Sequence, residues 1–301
     1  MRLGLSGGSP SVDRAIEQAR EAEDAGFSSL WFPGAVGGDP LVSMALAGRA
    51  TSRIELGTSI LQTYPCHPIL QASRAAAAAA GMGRGGFVLG VGPSHEPAVR
   101  GGLGMSYEHA GRHTEEYVGV LTALLRGEQV DFAGEEITAR AAGAAADVPV
   151  LVAALGKRLL RVAGELAAGT ITWMANARAV GDHVAPRITS AADAAGRPAP
   201  RIVVGLPVAV HGDVAEARAA AAEQFGFYGN LPNYQRILGI GGVGGPAEAV
   251  VVGNEEAVRV QVQALFDAGA TDVWAAVFPV GADRAASRRR TRNLLGELAR
   301  A

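Results

Sequence analysis

AGFSSLW, residues 25 to 31, follows a run with helical spacing and ends in a short apolar stretch, and the same figure returns as AGTITW (168–173) and AGATDVW (268–274). Glycine ends a helix cheaply because it enters left-handed backbone without steric cost, so each copy reads as helix, glycine stop, short strand. The copies carry all three tryptophans of the chain. Helix-to-strand units at such distant points make the chain an alternating one.

The alternation continues between them. Strands are expected near 2–6, 28–32, 53–59, 86–91, 149–153, 169–173, 201–209 and 272–277. Helices are expected near 11–25, 40–50, 68–80, 108–126, 157–168, 178–195, 213–226, 255–268 and 283–300. Strands and helices in strict alternation predict an α/β fold, a closed parallel (β/α)8 TIM barrel, over a doubly wound open sheet. A chain of 301 residues suits one barrel, so residues 1–301 are expected to form a single domain. Insertions fall near 127–148 and near 229–252, GNLPNYQRILGIGGVGGPAEAVVV. The second is too long for an ordinary connection and is expected to be a lid or an oligomer contact.

Composition narrows the partners. Apolar residues make up 49% of the chain and the formal net charge is −2, which allows a large core and gives no electrostatic case for nucleic acid. A small-molecule substrate is the better expectation. No stretch approaches the roughly 18 to 20 apolar residues that span a membrane. Asp13, Arg14 and Glu17 stand where a secretory segment would need an apolar run, and the lone Cys66 rules out an internal disulfide framework. These features predict a cytoplasmic protein.

In barrels of this kind the ligand site is assembled at the carboxyl ends of the strands. That explains IELGTSILQTYPCHPIL (54–70), which begins as a buried strand and then crowds Ser59, Gln62, Tyr64, Cys66 and His67 together. At the other strand ends stand SGG (6–8), PGAVGG (33–38), GVGPSHE (90–96), AALGKR (153–158) and TWMAN (172–176). Small residues there let a ring or phosphate approach the backbone, or else simply make tight turns. GVGPSH lacks the third glycine of a dinucleotide fingerprint, and no acidic residue follows at the required distance. Lys157 and Arg158 at a helix start either hold an anion or face solvent. His109 and His113 lie one helical turn apart, and Cys66, His67 and His95 lie at strand ends, but no convergent set of three or four metal ligands is legible. No metal is expected, and His109 and His113 read as surface or helix-end residues.

AREAEDAGFSSLWF, TSRIELGTSILQTYPCHP, GRGGFVLGVGPSH and VPVLVAALGKRLLRVAGELAAGTITWM, taken in order, resemble the luciferase-like monooxygenase superfamily. VVGNEEAVRVQVQALFDAGATDVWAAVF (251–278) looks like its closing helix and strand, so the resemblance covers nearly the whole chain. VLVAALG followed by GTITWM looks like the branch that uses deazaflavin coenzyme F420, with the FMN-dependent monooxygenases as the alternative. The resemblance implies a bacterial-luciferase-like barrel with a tricyclic ring at its mouth, and a homodimer. The enzyme would transfer a hydride between F420 and a small organic substrate. Ser59, Ile60 and Gln62 match the strand-three contacts to the ring, and Gly92, Pro93 and Ser94 the strand-four loop. Ala153, Ala154, Leu155 and Gly156 match the loop that admits the ribityl chain and phosphate, and Thr172 and Trp173 the strand-six contacts. The superfamily's cis peptide at the end of strand three falls on Ser59–Ile60.

One departure bears on direction. Relatives that oxidise a sugar phosphate carry an acid and a histidine after strand two, where this chain has Pro33 and Gly34. That argues against alcohol oxidation and for reduction. His95 stands where those relatives place a carboxylate, and a histidine titrates near neutral pH. It is the candidate proton donor, or a hydrogen-bonding partner of the coenzyme, and Tyr64 and His67 follow as substrate-facing groups.

Overall fold

The protein is described by a computed structural model over residues 1–34 and 39–301. Eight strands appear at the expected places: β1 (Leu3–Ser6), β2 (Ser29–Phe32), β3 (Glu55–Thr58), β4 (Phe87–Gly92), β5 (Val150–Ala153), β6 (Gly169–Trp173), β7 (Arg201–Val210) and β8 (Asp272–Val277). All pair in parallel in chain order, and the ring closes where Leu3 of β1 meets Val273 of β8. The fold is therefore the closed (β/α)8 barrel that the alternation predicts.

Ten helices of nine or more residues accompany the strands among the described residues: α1 (Val12–Asp24), α2 (Pro40–Arg49), α3 (Pro68–Met82), α4 (Ala110–Leu125), α5 (Lys157–Leu166), α6 (Ala185–Ala194), α7 (Val214–Phe225), α8 (Pro232–Ile240), α9 (Glu255–Asp267) and α10 (Arg284–Arg300). Side-chain caps fix several starts: Ser11 accepts from the Arg14 amide at 3.3 Å and Asn254 from that of Ala257 at 2.9 Å. Two of the three repeated units end as expected, with Gly26 at φ 90° and Gly269 at φ 107° just past the helix. In the middle unit the glycine has another reason. A Cβ on Gly169 would sit 1.9 Å from the Arg201 carbonyl oxygen, so it is the approach of β7 that excludes a side chain.

The helix expected over 178–195 is broken. Ala177–Ala179 is followed by a π-helical turn, Val180–Val184, before α6. Pro186 has no N–H to give to Asp182, four residues earlier. Arg187 answers by donating to the carbonyls of Asp182 at 3.4 Å and His183 at 3.2 Å. The 127–148 insertion is an antiparallel hairpin, Val130–Ala133 with Thr138–Ala141. Its turn is held by Glu116, which accepts from the amides of Glu135, Glu136 and Ile137. The 229–252 insertion contains α8 and a short strand, Val251–Gly253, that pairs with β7.

The tryptophans have a second role that only the closed ring reveals. Trp31 and Trp274 fill the barrel interior with Val88, Leu151, Ile171 and Val203, and Trp173 packs against them. Neighbouring strands make room: a Cβ on Gly57 would lie 2.3 Å from the Trp31 ring, and one on Gly205 would lie 2.1 Å from that of Trp274. At the amino-terminal end, Arg201 donates to Asp272 at 2.9 and 2.6 Å and to Glu55 at 3.0 and 2.5 Å, clasping β7, β8 and β3.

Candidate active site

The carboxyl ends of the strands surround a cavity of about 1150 Å³. Its β3 wall is Ser59, Ile60 and Gln62, where the strand breaks after Thr58, resumes at Leu61 and carries a cis peptide between Ser59 and Ile60. Pro93, Ser94 and His95 follow β4, Ala153 to Gly156 follow β5, and Thr172 and Trp173 end β6. Gly92 lies beneath this wall, where a Cβ would come within 2.7 Å of the Ala153 Cβ and 3.3 Å of Ile60. Its bareness lets β3 and β5 close under the cavity. Of the PGAVGG stretch, Pro33 and Gly34 line the cavity; residues 35–38 lie outside the described residues.

Local hydrogen bonds hold the rim. Ser94 has a left-handed φ of 64°, and its carbonyl accepts from the Tyr107 hydroxyl at 2.9 Å. Asn176 caps the turn after β6 by accepting from the Ala179 amide at 3.0 Å, and its amide donates to the Gly241 carbonyl at 3.1 Å. The insertion is thereby tied to the strand-six loop, and Leu231 to Tyr234 with Arg236 form part of the cavity lining.

His95 is half-buried, its ring centroid 5.7 Å from that of Tyr234 and 6.5 Å from that of Tyr228. Burial lowers its pKa below the usual 6.5, so the ring is mostly neutral at pH 7. Burial also keeps the Tyr228 phenol protonated by raising its pKa. Tyr64 and His67 are not among the described residues that line the cavity, although Tyr64 stacks on the lining Tyr107 at 5.7 Å. After Gln62 the chain turns outward: Tyr64 stacks on His113 of α4, with ring centroids 4.1 Å apart. His67 caps α3 by accepting from the Ile69 amide at 3.3 Å, which leaves Nε2–H to donate to the Thr138 carbonyl of the hairpin at 3.1 Å. His113 is also buried, not a surface residue, whereas His109 is exposed at the helix start.

Several lining groups carried no signal in the sequence. Tyr107, Tyr228, Tyr234 and Trp274 make much of the wall aromatic, and Arg236 reaches it from α8. The Tyr228 to Arg236 segment lies in an insertion without periodicity; only its aromatic and proline content hinted at a built surface. Of the basic pair, Arg158 lines the cavity while pairing with Glu115 at 2.7 Å, and Lys157 faces a neighbouring groove with Arg187 and Arg236.

The site suits a planar polar guest with an anionic tail. Ser59 Oγ, Thr172 Oγ1, Trp173 Nε1 and Trp274 Nε1 are buried at the cavity and have no hydrogen-bond partner among the described residues. Buried polar groups are normally paired, so these four ask for a ligand that pairs them. Gly156 has extended backbone, and a Cβ there would project into open space with only Arg236 Nη1 nearby, at 3.8 Å. An anion at this point meets a cation and the uncapped amides at the start of α5. Among the described residues no cluster of three or more histidine, cysteine or acidic side chains is disposed to hold a metal ion, and no helix is long and apolar enough to cross a membrane.

Known proteins are similar to this chain in sequence or in fold. The F420-dependent hydroxymycolic acid dehydrogenase of Mycobacterium tuberculosis is 30% identical over 285 residues, which span 86% of this chain and 78% of that protein. The coenzyme F420 dependent tetrahydromethanopterin reductase from Methanopyrus kandleri superposes with a TM-score of 0.76 at 21% identity, over 98% of this chain and 97% of its own. The oxygenating constituent of 3,6-diketocamphane monooxygenase from Pseudomonas putida, in complex with FMN, does so with a TM-score of 0.72 at 17% identity, over 99% and 97%. Residues 2–281 match the family described as luciferase-like monooxygenase. With that match spanning the barrel from β1 through β8, the chain belongs to the luciferase-like monooxygenase family.

Proposed function

We propose that the cavity seats deazaflavin coenzyme F420 and that the protein transfers a hydride between it and a small organic substrate, in the reductive direction. The observation that carries the reading is the pairing of unsatisfied donors on the cavity floor with the bare Gly156–Arg236 corner, which together suit a tricyclic ring with a phosphate-bearing side chain. The F420-dependent relative supports the choice of coenzyme. When bound, the deazaflavin supplies a carbon that carries a hydride as a two-electron unit. Ile60 and the small residues after β5 position the ring; the aromatic wall of Trp173, Tyr228 and Tyr234 excludes water from the substrate side. His95 delivers the proton that a reduced substrate needs alongside the hydride.

The direction is read from position 34 and from His95 taken as donor in its protonated form. A Cβ on Gly34 would lie 2.4 Å from the Ile60 carbonyl oxygen, so a proton-accepting side chain does not fit at that position. FMN is the second reading, because it shares a ring and ribityl phosphate and an FMN-bound monooxygenase shares the fold. Fluorescence titration decides between them: F420 is expected to bind more tightly, and tighter FMN binding would overturn the choice.

A variant tests the seat itself. Gly156→Val is expected to fold normally, since extended backbone accepts valine and no neighbour stands closer than Arg236, yet to abolish coenzyme binding at concentrations that saturate the parent. Circular dichroism checks the fold and titration the binding. Unchanged affinity in a folded variant removes Gly156 from the site.

A further inference from the structure

A histidine that carries a proton is ordinarily oriented by a hydrogen bond from its second ring nitrogen. Among the described residues His95 has none, and its ring neighbours are Tyr234 and Tyr228 of the insertion. Its aim therefore depends on how its backbone is held. Downstream the hold is local: the His95 carbonyl accepts from the amides of Ala98 and Val99, both at 3.0 Å, where a π-helical turn begins over Pro97–Gly102. Upstream stands Ser94 at φ 64°, a conformation that a residue with a side chain keeps only when its surroundings enforce it.

The enforcing contact comes from 13 residues along the chain, where the Tyr107 hydroxyl donates to the Ser94 carbonyl at 2.9 Å. That carbonyl belongs to the planar peptide joining Ser94 to His95, so one hydrogen bond fixes the plane from which His95 departs. The phenol is itself anchored. Its ring stacks on Tyr64 at 5.7 Å, and Tyr64 stacks on the buried His113 of α4 at 4.1 Å with only 9° between the planes. Burial, with Tyr64 and Glu96 nearby, pushes the Tyr107 pKa up to about 12. The donor thus stays protonated throughout the range in which an imidazole titrates.

We propose that Tyr107 is a positioning residue for His95: its hydroxyl locks the Ser94–His95 peptide, and the Tyr64–His113 stack holds that hydroxyl in place. The imidazole is thereby kept at the cavity wall against Tyr234. Tyr107 contributes orientation, and the proton remains that of His95. The purpose of this hold rests on the reading of His95 as proton donor, whereas the hold itself can be measured without coenzyme or substrate. It also gives work to Tyr64 and His113, neither of which lines the cavity among the described residues.

The test follows the ring protons of His95 by NMR in protein labelled at histidine and tyrosine, with His95→Ala assigning the signal. In the parent a cross-relaxation peak to the Tyr234 ring is expected, with a titration below 6.5. The charged groups of its own turn, Glu96 and Arg100, are paired at 2.9 Å, and the facing phenols of Tyr228 and Tyr234 are kept protonated by burial. Tyr107→Phe keeps the ring against Tyr64 and removes only the hydroxyl. It should lose the peak to Tyr234 and move the His95 pKa up toward 6.5 as water reaches the ring, while the His113 signals stay as in the parent. An unaltered peak and pKa in the folded variant overturn the inference, and so does a change that extends equally to His113, which would mark a general loosening. Should Tyr107→Phe fail to fold, Tyr64→Leu must change the same two readings, since it removes the platform and leaves the hydroxyl; no change there overturns the inference as well. Full turnover in His95→Ala would strike the donor reading alone, and the NMR measurement would still decide what Tyr107 holds.

Discussion

Arg201→Met is expected to lower the unfolding free energy by about 3 to 5 kcal/mol, the range seen when one partner of a buried ion pair is removed. Methionine keeps much of the side chain's length but strands two carboxylates. The Asp272 side chain is 2% exposed and that of Glu55 is 16% exposed, so neither recovers full hydration. Arg2, at 2.7 Å from Asp272, is half exposed and compensates only partly. Denaturant unfolding measures the loss, and a change below about 1 kcal/mol would class the cluster with surface pairs. Coenzyme binding should be unchanged, because the clasp lies at the amino-terminal end of the barrel. Burial pushes the Asp272 carboxyl up, but Arg201 and Arg2 outweigh it and hold its pKa below the usual value. A depressed carboxylate stabilises above its unfolded pKa and loses that contribution as pH falls through its folded one, so the parent should lose this part of its stability at acid pH.

The second large effect is kinetic. His95→Ala is expected to retain coenzyme affinity and to lose about a hundredfold in turnover, as when acid catalysis is removed. The pH profile carries the sign. Burial lowers the His95 pKa below 6.5, so a proton donor works best at acid pH and kcat/KM falls as pH rises through that value. A proton acceptor would show the opposite limb, and that outcome would reverse the proposed direction. Full turnover in His95→Ala would pass the role to another group, with Tyr228, whose phenol stays protonated, as the next variant to make.

The barrel was legible because its signal is local. AGFSSLW and AGATDVW announce helix, turn and strand within seven residues each, and Gly26 and Gly269 adopt the positive φ that this reading requires. The strand-end residues were legible for the same reason, since every parallel strand of a barrel delivers its carboxyl end to one mouth. What sequence could not convey was contact across the ring. The fit of Gly205 around Trp274 depends on which strand is neighbour to which, and the arginine clasp joins Arg201 to Glu55, 146 positions earlier in the chain. For Tyr64 and His67 the alternation stops at Gln62, and beyond that point only tertiary packing determines which way a side chain faces. Arg236 and Tyr234 come from an insertion whose position over the mouth no periodicity encodes.

The pairing of Leu3 with Val273 also constrains how the protein comes to exist. During synthesis the strand that emerges first waits for the one that emerges last, and until then β1 presents an unpaired, apolar edge. Partial barrels of this kind invite edge-to-edge association. Contacts so distant along the chain raise the contact order and slow the search for the native state. A nascent chain stalled on the ribosome before β8 should therefore be protease-sensitive and chaperone-bound, and release of the last strand should convert it to the resistant form in one step.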